Sequence, residues 1–126
     1  MNPQYKIAII EDDVAISQMY RLKFESEGFA VQTAENGEIG LKLIKDFQPN
    51  IVLLDIQMPV LDGAGALAQL RKEPWGKDIP VIILTNVGEE EAARELEHLD
   101  VHSYIVKAEL TPRQVTERVK DILVKS

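Results

Sequence analysis

Five short apolar runs rich in isoleucine and valine alternate with longer amphipathic segments, and this alternation limits the possible folds most strongly. The runs span residues 5–10, 29–34, 50–56, 80–85 and 103–107. Three of them are almost continuously apolar, which is typical of parallel strands buried on both faces. Strands that alternate with helices in this way predict a (βα)5 chain with a parallel sheet and right-handed crossovers.

Between the runs, apolar residues recur at helical spacing. The apolar positions of the five predicted helices are Ile16, Met19, Tyr20 and Phe24; Ile39, Leu43, Ile44 and Phe47; Leu67, Ala68 and Leu70; Ala92, Ala93, Leu96 and Leu99; and Val115, Val119, Ile122 and Leu123. Gly28 suits the end of the first helix, and Pro49 limits the second. Thr111 and Pro112 suit the start of the fifth, as N-cap and first helical residue.

Five βα units are too few for a (β/α)8 barrel, so we predict an open, doubly wound α/β sheet with helices on both faces. The length of 126 residues fits one domain over residues 1–126, and 45% hydrophobic with 28% charged residues is an ordinary globular composition. In such sheets ligands bind at the carboxyl ends of the strands.

Charge and composition exclude several classes of function. The net charge of −7 disfavours direct binding to nucleic acid phosphates and to acidic membrane surfaces. The sequence has no apolar run of about 20 residues and no signal-peptide pattern at its start. It also has no cysteine, which agrees with the cytoplasmic location that we expect.

Polar residues follow four of the predicted strands, and parallel strands bring their carboxyl ends to one edge. The residues are Glu11, Asp12 and Asp13 after the first strand, Asp55 at the third, Thr85 at the fourth and Lys107 at the fifth. Converging carboxylates favour Mg²⁺, for which Asp12 and Asp55 are candidate ligands. With a hydroxyl and an ammonium they are the parts needed for phosphoryl transfer, in which a carboxylate can be the nucleophile. Singly, Asp13 suits a helix N-cap and Asp55 a polar strand end.

Four segments carry a resemblance to a known family: IIEDD, IVLLDIQMPVLDG, VIILTN and YIVKA, in that order. The second contains the pattern D-x-x-M-P-x-x-D-G between Asp55 and Gly63. Over roughly residues 5–123 the chain resembles a response-regulator receiver domain of two-component signalling, of the chemotaxis-regulator type. The resemblance implies a flavodoxin-like sheet with strand order 2-1-3-4-5.

The resemblance also implies roles for the residues at the metal site. Asp55 matches the phosphorylated aspartate. Glu11 and Asp12 match the acidic pair that holds Mg²⁺ together with Asp55 and the backbone carbonyl of Gln57. Asp13 in place of Glu11 is the alternative register.

Two further positions match residues that respond to the phosphoryl group, and a third matches one that contacts it. Thr85 matches the switch hydroxyl, Tyr104 the switch aromatic residue and Lys107 the phosphate-contacting lysine. The implied protein accepts a phosphoryl group from a histidine kinase or histidine phosphotransfer protein. It catalyses its own phosphorylation and dephosphorylation and is otherwise no enzyme. It signals to an unknown downstream protein through helix 4, strand 5 and helix 5, as a monomer or phosphorylation-dependent dimer.

The sequence departs from the family pattern at positions beside the site. Ala108 stands where the family usually has proline, so we expect a trans peptide bond after Lys107, and the reach of that lysine is open. Asn86 replaces the small residue that usually follows the switch hydroxyl. The amides of Gln57 and Asn86 border the predicted phosphoryl pocket, and we predict that they tune the lifetime of the aspartyl phosphate.

Other functions remain as alternatives. Only Val-Lys-Ser follows the fifth predicted helix, so we expect a stand-alone receiver. A receiver excised from a longer regulator and a phosphorylation-independent docking module are the alternatives. A phosphohydrolase of this type needs a second acid at the position of Gln57, and a flavin or nucleotide binder needs a Gly, Ser and Thr turn where this chain has acids. His98 and His102 are expected at the surface or at helix ends.

Overall fold

The structure, a computed structural model, describes residues 4–96 and 99–125. Its strands are β1 (Lys6–Ile10), β2 (Ala30–Ala34), β3 (Ile51–Asp55), β4 (Val81–Thr85) and β5 (Ser103–Val106). All of them pair in parallel, in the order β2-β1-β3-β4-β5. The predicted flavodoxin-like (βα)5 sheet and its strand order are therefore confirmed.

A helix follows each strand. The helices are α1 (Val14–Ser26), α2 (Gly37–Phe47), α3 (Gly63–Arg71), α4 (Glu89–Glu95) and α5 (Pro112–Lys125). Among the described residues, no helix has the length and apolar character needed to cross a membrane. The N-cap predicted for α5 is present: the N–H of Gln114 donates to the Thr111 hydroxyl at 3.2 Å, and the N–H of Thr111 donates to the Gln114 side chain at 2.8 Å.

The sheet is buried on both faces because side chains alternate along each strand. In β1, Ile7 and Ile9 belong to a buried cluster that includes side chains of α1 and α5. Ala8 and Ile10 point the other way, into a cluster with side chains of α2, α3 and α4. Two apolar layers therefore hold the strands rigidly and fix the positions at which they end.

The predicted end of α1 at Gly28 is confirmed in detail. Gly28 has a φ of +94°, which glycine adopts readily. Its N–H donates to the carbonyl of Glu25, and the N–H of Phe29 donates to the carbonyl of Phe24. The rings of Phe24 and Phe29 then meet edge to face at 5.7 Å. This is a Schellman ending with its apolar contact.

Two residues of the predicted apolar helix stripes are not buried. Met19 is 43% exposed and Ile39 is 45% exposed. In α1 the buried stripe passes through Ser17 instead. In α2 it passes through Gly40. This glycine lies so close to the sheet that a Cβ at its position would be 2.8 Å from a methyl carbon of Ile10. Small residues let both helices approach the sheet closely, and the larger neighbours are turned outward.

The fourth helix is shorter than its apolar pattern predicted. It ends at Glu95, and Leu99 lies beyond it, half-buried against the core on the α2–α4 side. The N–H of Leu99 donates to the carbonyl of Leu96 at 3.0 Å. His102 is exposed, as expected, and His98 lies outside the described residues.

Candidate functional site

Three carboxylates come together where β1 and β3 end. Ile10 pairs with Leu54, so Glu11 and Asp55 emerge side by side one residue later. Glu11 is 2% exposed and Asp55 3%, whereas Asp12 is exposed. One carboxylate oxygen from each of the three lies within 4.8 Å of the others. Such a set of oxygen ligands fits a hard divalent cation, which would relieve their mutual repulsion.

The neighbouring Asp13 is used differently. Its side chain accepts a hydrogen bond from the N–H of Ile16 at 3.1 Å and so caps α1. Its own N–H donates to the carboxylate of Glu11 at 3.2 Å. Of the two registers that the sequence left open, the structure therefore groups Glu11, and not Asp13, with Asp12 and Asp55.

Lys107 reaches this acidic cluster from the edge strand. Its Nζ lies 2.6 Å from Oε2 of Glu11 and 3.4 Å from Oδ2 of Asp55. Its backbone N–H donates to the carbonyl of Thr85 at 2.8 Å, which fixes the root of the side chain beside β4. The peptide bond to Ala108 is trans, as predicted, since the described residues contain no cis peptide. The lysine thus reaches the site without the usual proline.

The pKa values of two groups in the cluster, Asp55 and Lys107, are raised. Burial raises the pKa of the Asp55 carboxyl to about 7, the negative charge of Glu11 adds to this, and Lys107 opposes it. Burial alone would lower the pKa of Lys107, but its contact with Glu11 and the charge of Asp55 outweigh burial and raise it. Without a cation, Asp55 therefore keeps its proton up to about pH 7, beside a charged lysine.

The loop between β3 and α3 is held in a tight shape. A Cβ on Gly63 would lie 2.3 Å from the carbonyl oxygen of Asp55, so only glycine fits there. The N–H of Gly63 donates to the carbonyl of Ile56 at 2.8 Å. Gln57 is exposed, and its N–H lies 3.4 Å from Oδ1 of Asp55. The loop therefore keeps the backbone of Gln57 against the phosphoacceptor candidate.

The same loop contains a strained residue that the sequence did not single out. Val60 has a φ of +69°, which is unfavourable for a β-branched residue, and it is 75% exposed. The N–H of Leu61 donates to the carbonyl of Pro59 at 2.8 Å across it, which makes a three-residue γ-turn. The carbonyl of Leu61 accepts from Gly37 at the start of α2 and anchors the loop.

Thr85 ends β4 at the same edge and is buried. Its hydroxyl accepts a hydrogen bond from the N–H of Val87 at 3.0 Å and lies 3.3 Å from the carbonyl of Val87. The hydroxyl thus holds the first turn of the loop that leads to α4. Asn86 lies between them with its side chain exposed.

Tyr104 pairs with Ile83 in the sheet and packs, half-buried, against the core on the α2–α4 side. Burial raises the pKa of its hydroxyl, and the charge of Glu89 adds to this. The residue therefore lies next to the beginning of α4.

Tyr20 is near the site, although the sequence analysis placed it only in the apolar stripe of the first helix. It is buried, and burial raises the pKa of its hydroxyl, with Lys107 lowering and Glu11 raising it. The two residues that influence the pKa of Tyr20 follow β1 and β5. Helical spacing within α1 gave no signal of this neighbourhood.

Comparison with known proteins agrees with this geometry. Residues 7–120 match the family model of the response regulator receiver domain. The chain is 34% identical over 118 residues to the Probable transcriptional regulator ycf27 of Cyanophora paradoxa, covering 94% of this chain and 48% of that protein. It is also 34% identical over 118 residues to the transcriptional regulatory protein ResD of Bacillus subtilis (strain 168), covering 94% of this chain and 48% of that protein. The chain therefore spans about half the length of these relatives.

A solved structure with the same fold is a response regulator receiver domain protein from Methanospirillum hungatei JF-1. It superposes with a TM-score of 0.87 at 27% identity, covering 98% of this chain and 96% of that one. The family match covers most of the chain and includes the strands that carry the acidic cluster. The chain belongs to the response regulator receiver domain family of two-component signalling.

Proposed function

We propose that this receiver accepts a phosphoryl group on Asp55 from a phosphohistidine of a histidine kinase or phosphotransfer protein. The observation that carries the proposal is the grouping of Glu11, Asp12 and Asp55 with the ammonium of Lys107 at one edge of the sheet. The acids supply a nucleophile and cation ligands, and the lysine supplies a fixed positive charge.

Mg²⁺ is the cation that this set of ligands fits best. The carboxylates of Glu11, Asp12 and Asp55 and the backbone carbonyl of Gln57 would hold it. When bound, the cation would favour the ionised form of Asp55 and neutralise charge on the phosphoryl oxygens. This matters because burial holds the pKa of Asp55 near 7 in its absence.

The chain's own residues then do the following. An oxygen of Asp55 attacks phosphorus, the bond to the histidine nitrogen breaks, and the nitrogen keeps the electron pair. Lys107 neutralises the developing charge, which requires it to leave Glu11 in part. Hydrolysis of the acyl phosphate later regenerates Asp55. The protein is thus a signalling phosphoacceptor that catalyses its own phosphorylation and dephosphorylation.

The signal would leave through the start of α4. If the Thr85 hydroxyl turns to a phosphoryl oxygen, it must release Val87, and the loop into α4 loses two contacts. Tyr104 lies beside this loop, so its packing changes as well. Phosphorylation would bias the surface of α4, β5 and α5 between two arrangements. A downstream protein, or a second copy in a phosphorylation-dependent dimer, would read that surface.

A protein phosphodonor is supported by exposed apolar residues near the site. Val14 begins α1 directly after the acids, and Val60 is in the loop that follows Asp55. Val14 also lines, with the exposed Ile39, a crevice of about 250 Å³ that reaches Glu11. Exposed apolar groups at a charged rim are suited to protein contacts.

We place the protein in the cytoplasm, where such donors act. We propose neither nucleic acid nor a membrane as a direct partner.

Mass spectrometry tests the central claim. The protein is incubated with Mg²⁺ and acetyl phosphate, and the intact mass is measured. We expect one phosphoryl adduct in the parent protein, no adduct in Asp55→Asn, and loss of the adduct when EDTA replaces Mg²⁺. Asp13→Asn is the matched control, since asparagine also caps helices, and it should keep the adduct. No adduct in the parent would leave only a phosphorylation-independent docking module. An adduct that persists in Asp55→Asn would show that Asp55 is not the phosphoacceptor.

A further inference from the structure

An open groove of about 540 Å³ lies beside the phosphoacceptor loop. We call it the α3–α4 groove, and it is lined by Ile56, Gln57, Met58, Asp62, Ala64 and Glu95. Its volume lies in the range of sites that hold a ligand or a few side chains of a partner. It shares Gln57 with the site described above but opens between α3 and α4.

The floor of the groove is apolar and adaptable. Ile56 is buried, and Met58 and Ala64 are half-buried. The flexible methionine side chain can adjust to differently shaped apolar groups. The floor therefore suits an aliphatic side chain from a partner.

The rim of the groove carries one sign of charge. The carboxylate of Asp62 is held in place because its Oδ1 accepts the N–H of Gly65 at 2.8 Å. Glu95 faces it from the last turn of α4, and Glu91 lies one turn earlier on that helix. Neither Asp62 nor Glu95 forms an ion pair within the described ranges. Both charges are therefore available to a cationic partner.

We propose that the α3–α4 groove docks a basic segment of a partner protein, with an aliphatic side chain on the floor and lysine or arginine at the rim. The identification of this partner as the protein that receives the signal rests on the proposed function. The binding of a basic segment to the groove does not depend on it. Since Gln57 and Ile56 adjoin Asp55, a phosphoryl group there adds negative charge close to the groove. Phosphorylation should then tighten binding, and by linkage the bound segment should favour phosphorylation.

The test uses two labelled peptides, each with two central residues between pairs of lysines. One peptide has leucines at the centre and the other has serines. Fluorescence anisotropy measures binding to the metal-free, unphosphorylated protein, and backbone amide shifts locate it. We expect shifts at Met58, Ala64 and Glu95 and at least ~10-fold weaker binding of the serine peptide.

Three variants separate specific docking from attraction to an acidic protein. Glu95→Lys should weaken binding about 10-fold, and Ala64→Leu should do the same by filling the floor without changing the charge. Glu109→Lys, an exposed position outside the groove, makes the same charge change and should cost less than about 2-fold. Equal loss in the two lysine variants, or amide shifts spread over the surface, would overturn the proposal.

The two proposals fail separately. Peptide binding is measured without phosphorylation, so a protein that forms no phosphoryl adduct can still show the groove. Conversely, a normal adduct on Asp55 with no peptide binding rejects only the groove. With both present, the Kd is measured again after acetyl phosphate treatment, and an unchanged value rejects the coupling.

Discussion

The ammonium of Lys107 lies 2.6 Å from the carboxylate of Glu11, although the strands that carry them are separated by two others. The contact joins the edge strand to the centre of the sheet through a side chain that is only 9% exposed. It also places the positive charge 3.4 Å from Asp55. One ion pair thus contributes to the fold and prepares the site.

Replacing this lysine should harm both stability and phosphorylation. In Lys107→Met two buried carboxylates lose their partner, so the free energy of unfolding should fall by about 3 kcal/mol in urea denaturation. The rate of adduct formation from acetyl phosphate should fall about 100-fold. Lys120→Met is the control, because Lys120 pairs with Glu27 at the surface and should cost less than about 1 kcal/mol. Equal losses in the two variants would contradict this assignment.

The raised pKa of Asp55 predicts a dependence of stability on pH. Between pH 3.8 and about 7 the unfolded chain has released this proton while the folded protein keeps it. The protonated Asp55 carboxyl therefore contributes its full share of the folding stability below about pH 3.8. This contribution is lost as the pH rises to about 7. In EDTA, Asp55→Asn should lack this loss and be more stable than the parent above about pH 7.

Thermal unfolding over a pH series checks this expectation. The difference in Tm between the two proteins should shrink toward the acid end of the series. Saturating Mg²⁺ is the control, since a bound cation favours the ionised carboxylate and should reduce the loss in the parent. Parallel curves for parent and variant in EDTA would show that Asp55 is not held protonated.

Val60 predicts a stabilising substitution beside the site. At a φ of +69° a valine carries backbone strain of about 1–3 kcal/mol, which glycine does not. Val60→Gly should raise the free energy of unfolding by about 1 kcal/mol after the greater chain entropy of glycine is counted. Val60→Ala keeps a Cβ and is the control, with little change expected in urea denaturation. A destabilised glycine variant would argue against strain at this residue.

The hydrogen bonds of Arg71, at the opposite end of the sheet from the site, predict that its replacement lowers the stability of the fold. Its guanidinium donates to the carbonyls of Gly76, Lys77 and Ile79 at 2.8–3.1 Å and to that of Asp100 at 2.7 and 3.0 Å. A lysine cannot reach both groups of acceptors, so Arg71→Lys should lower the free energy of unfolding by about 2–3 kcal/mol.

The exposed Arg113 provides the matched control for Arg71. Arg113→Lys should change stability by less than about 0.5 kcal/mol in the same urea titration. If both substitutions are equally mild, the carbonyl contacts of Arg71 do not contribute to stability.

The amides of Gln57 and Asn86 are predicted to set the lifetime of the aspartyl phosphate. Both side chains are exposed, Gln57 two residues after Asp55 and Asn86 directly after Thr85. The hypothesis is that they restrict the approach of water to the phosphoryl group. Gln57→Ala and Asn86→Ala should each speed dephosphorylation about 3–10-fold. The rate is followed by intact mass after the phosphodonor is removed. Unchanged rates in both variants would reject a tuning role, and slower rates would indicate that the amides position water.

Local patterns in the sequence determined the secondary structure and the edge at which the site lies. Apolar runs and helical spacing require burial on two sheet faces, so the order of strands and helices follows from short stretches. The end of α1 at Gly28 and the start of α5 at Thr111 follow from local backbone chemistry in the same way. The motif around Asp55 also carries its family resemblance within a few residues.

Distances and charge states were decided only by the tertiary structure. Whether Glu11 or Asp13 lies with Asp12 and Asp55 depends on which of the two carboxylates caps α1. Whether Lys107 reaches Asp55 without the usual proline depends on the spacing of strands that are far apart in the chain. The outward turn of Met19 and Ile39 likewise depends on how closely Ser17 and Gly40 let helices approach the sheet. Packing sets these relationships across the sheet, and no local stretch of sequence encodes them.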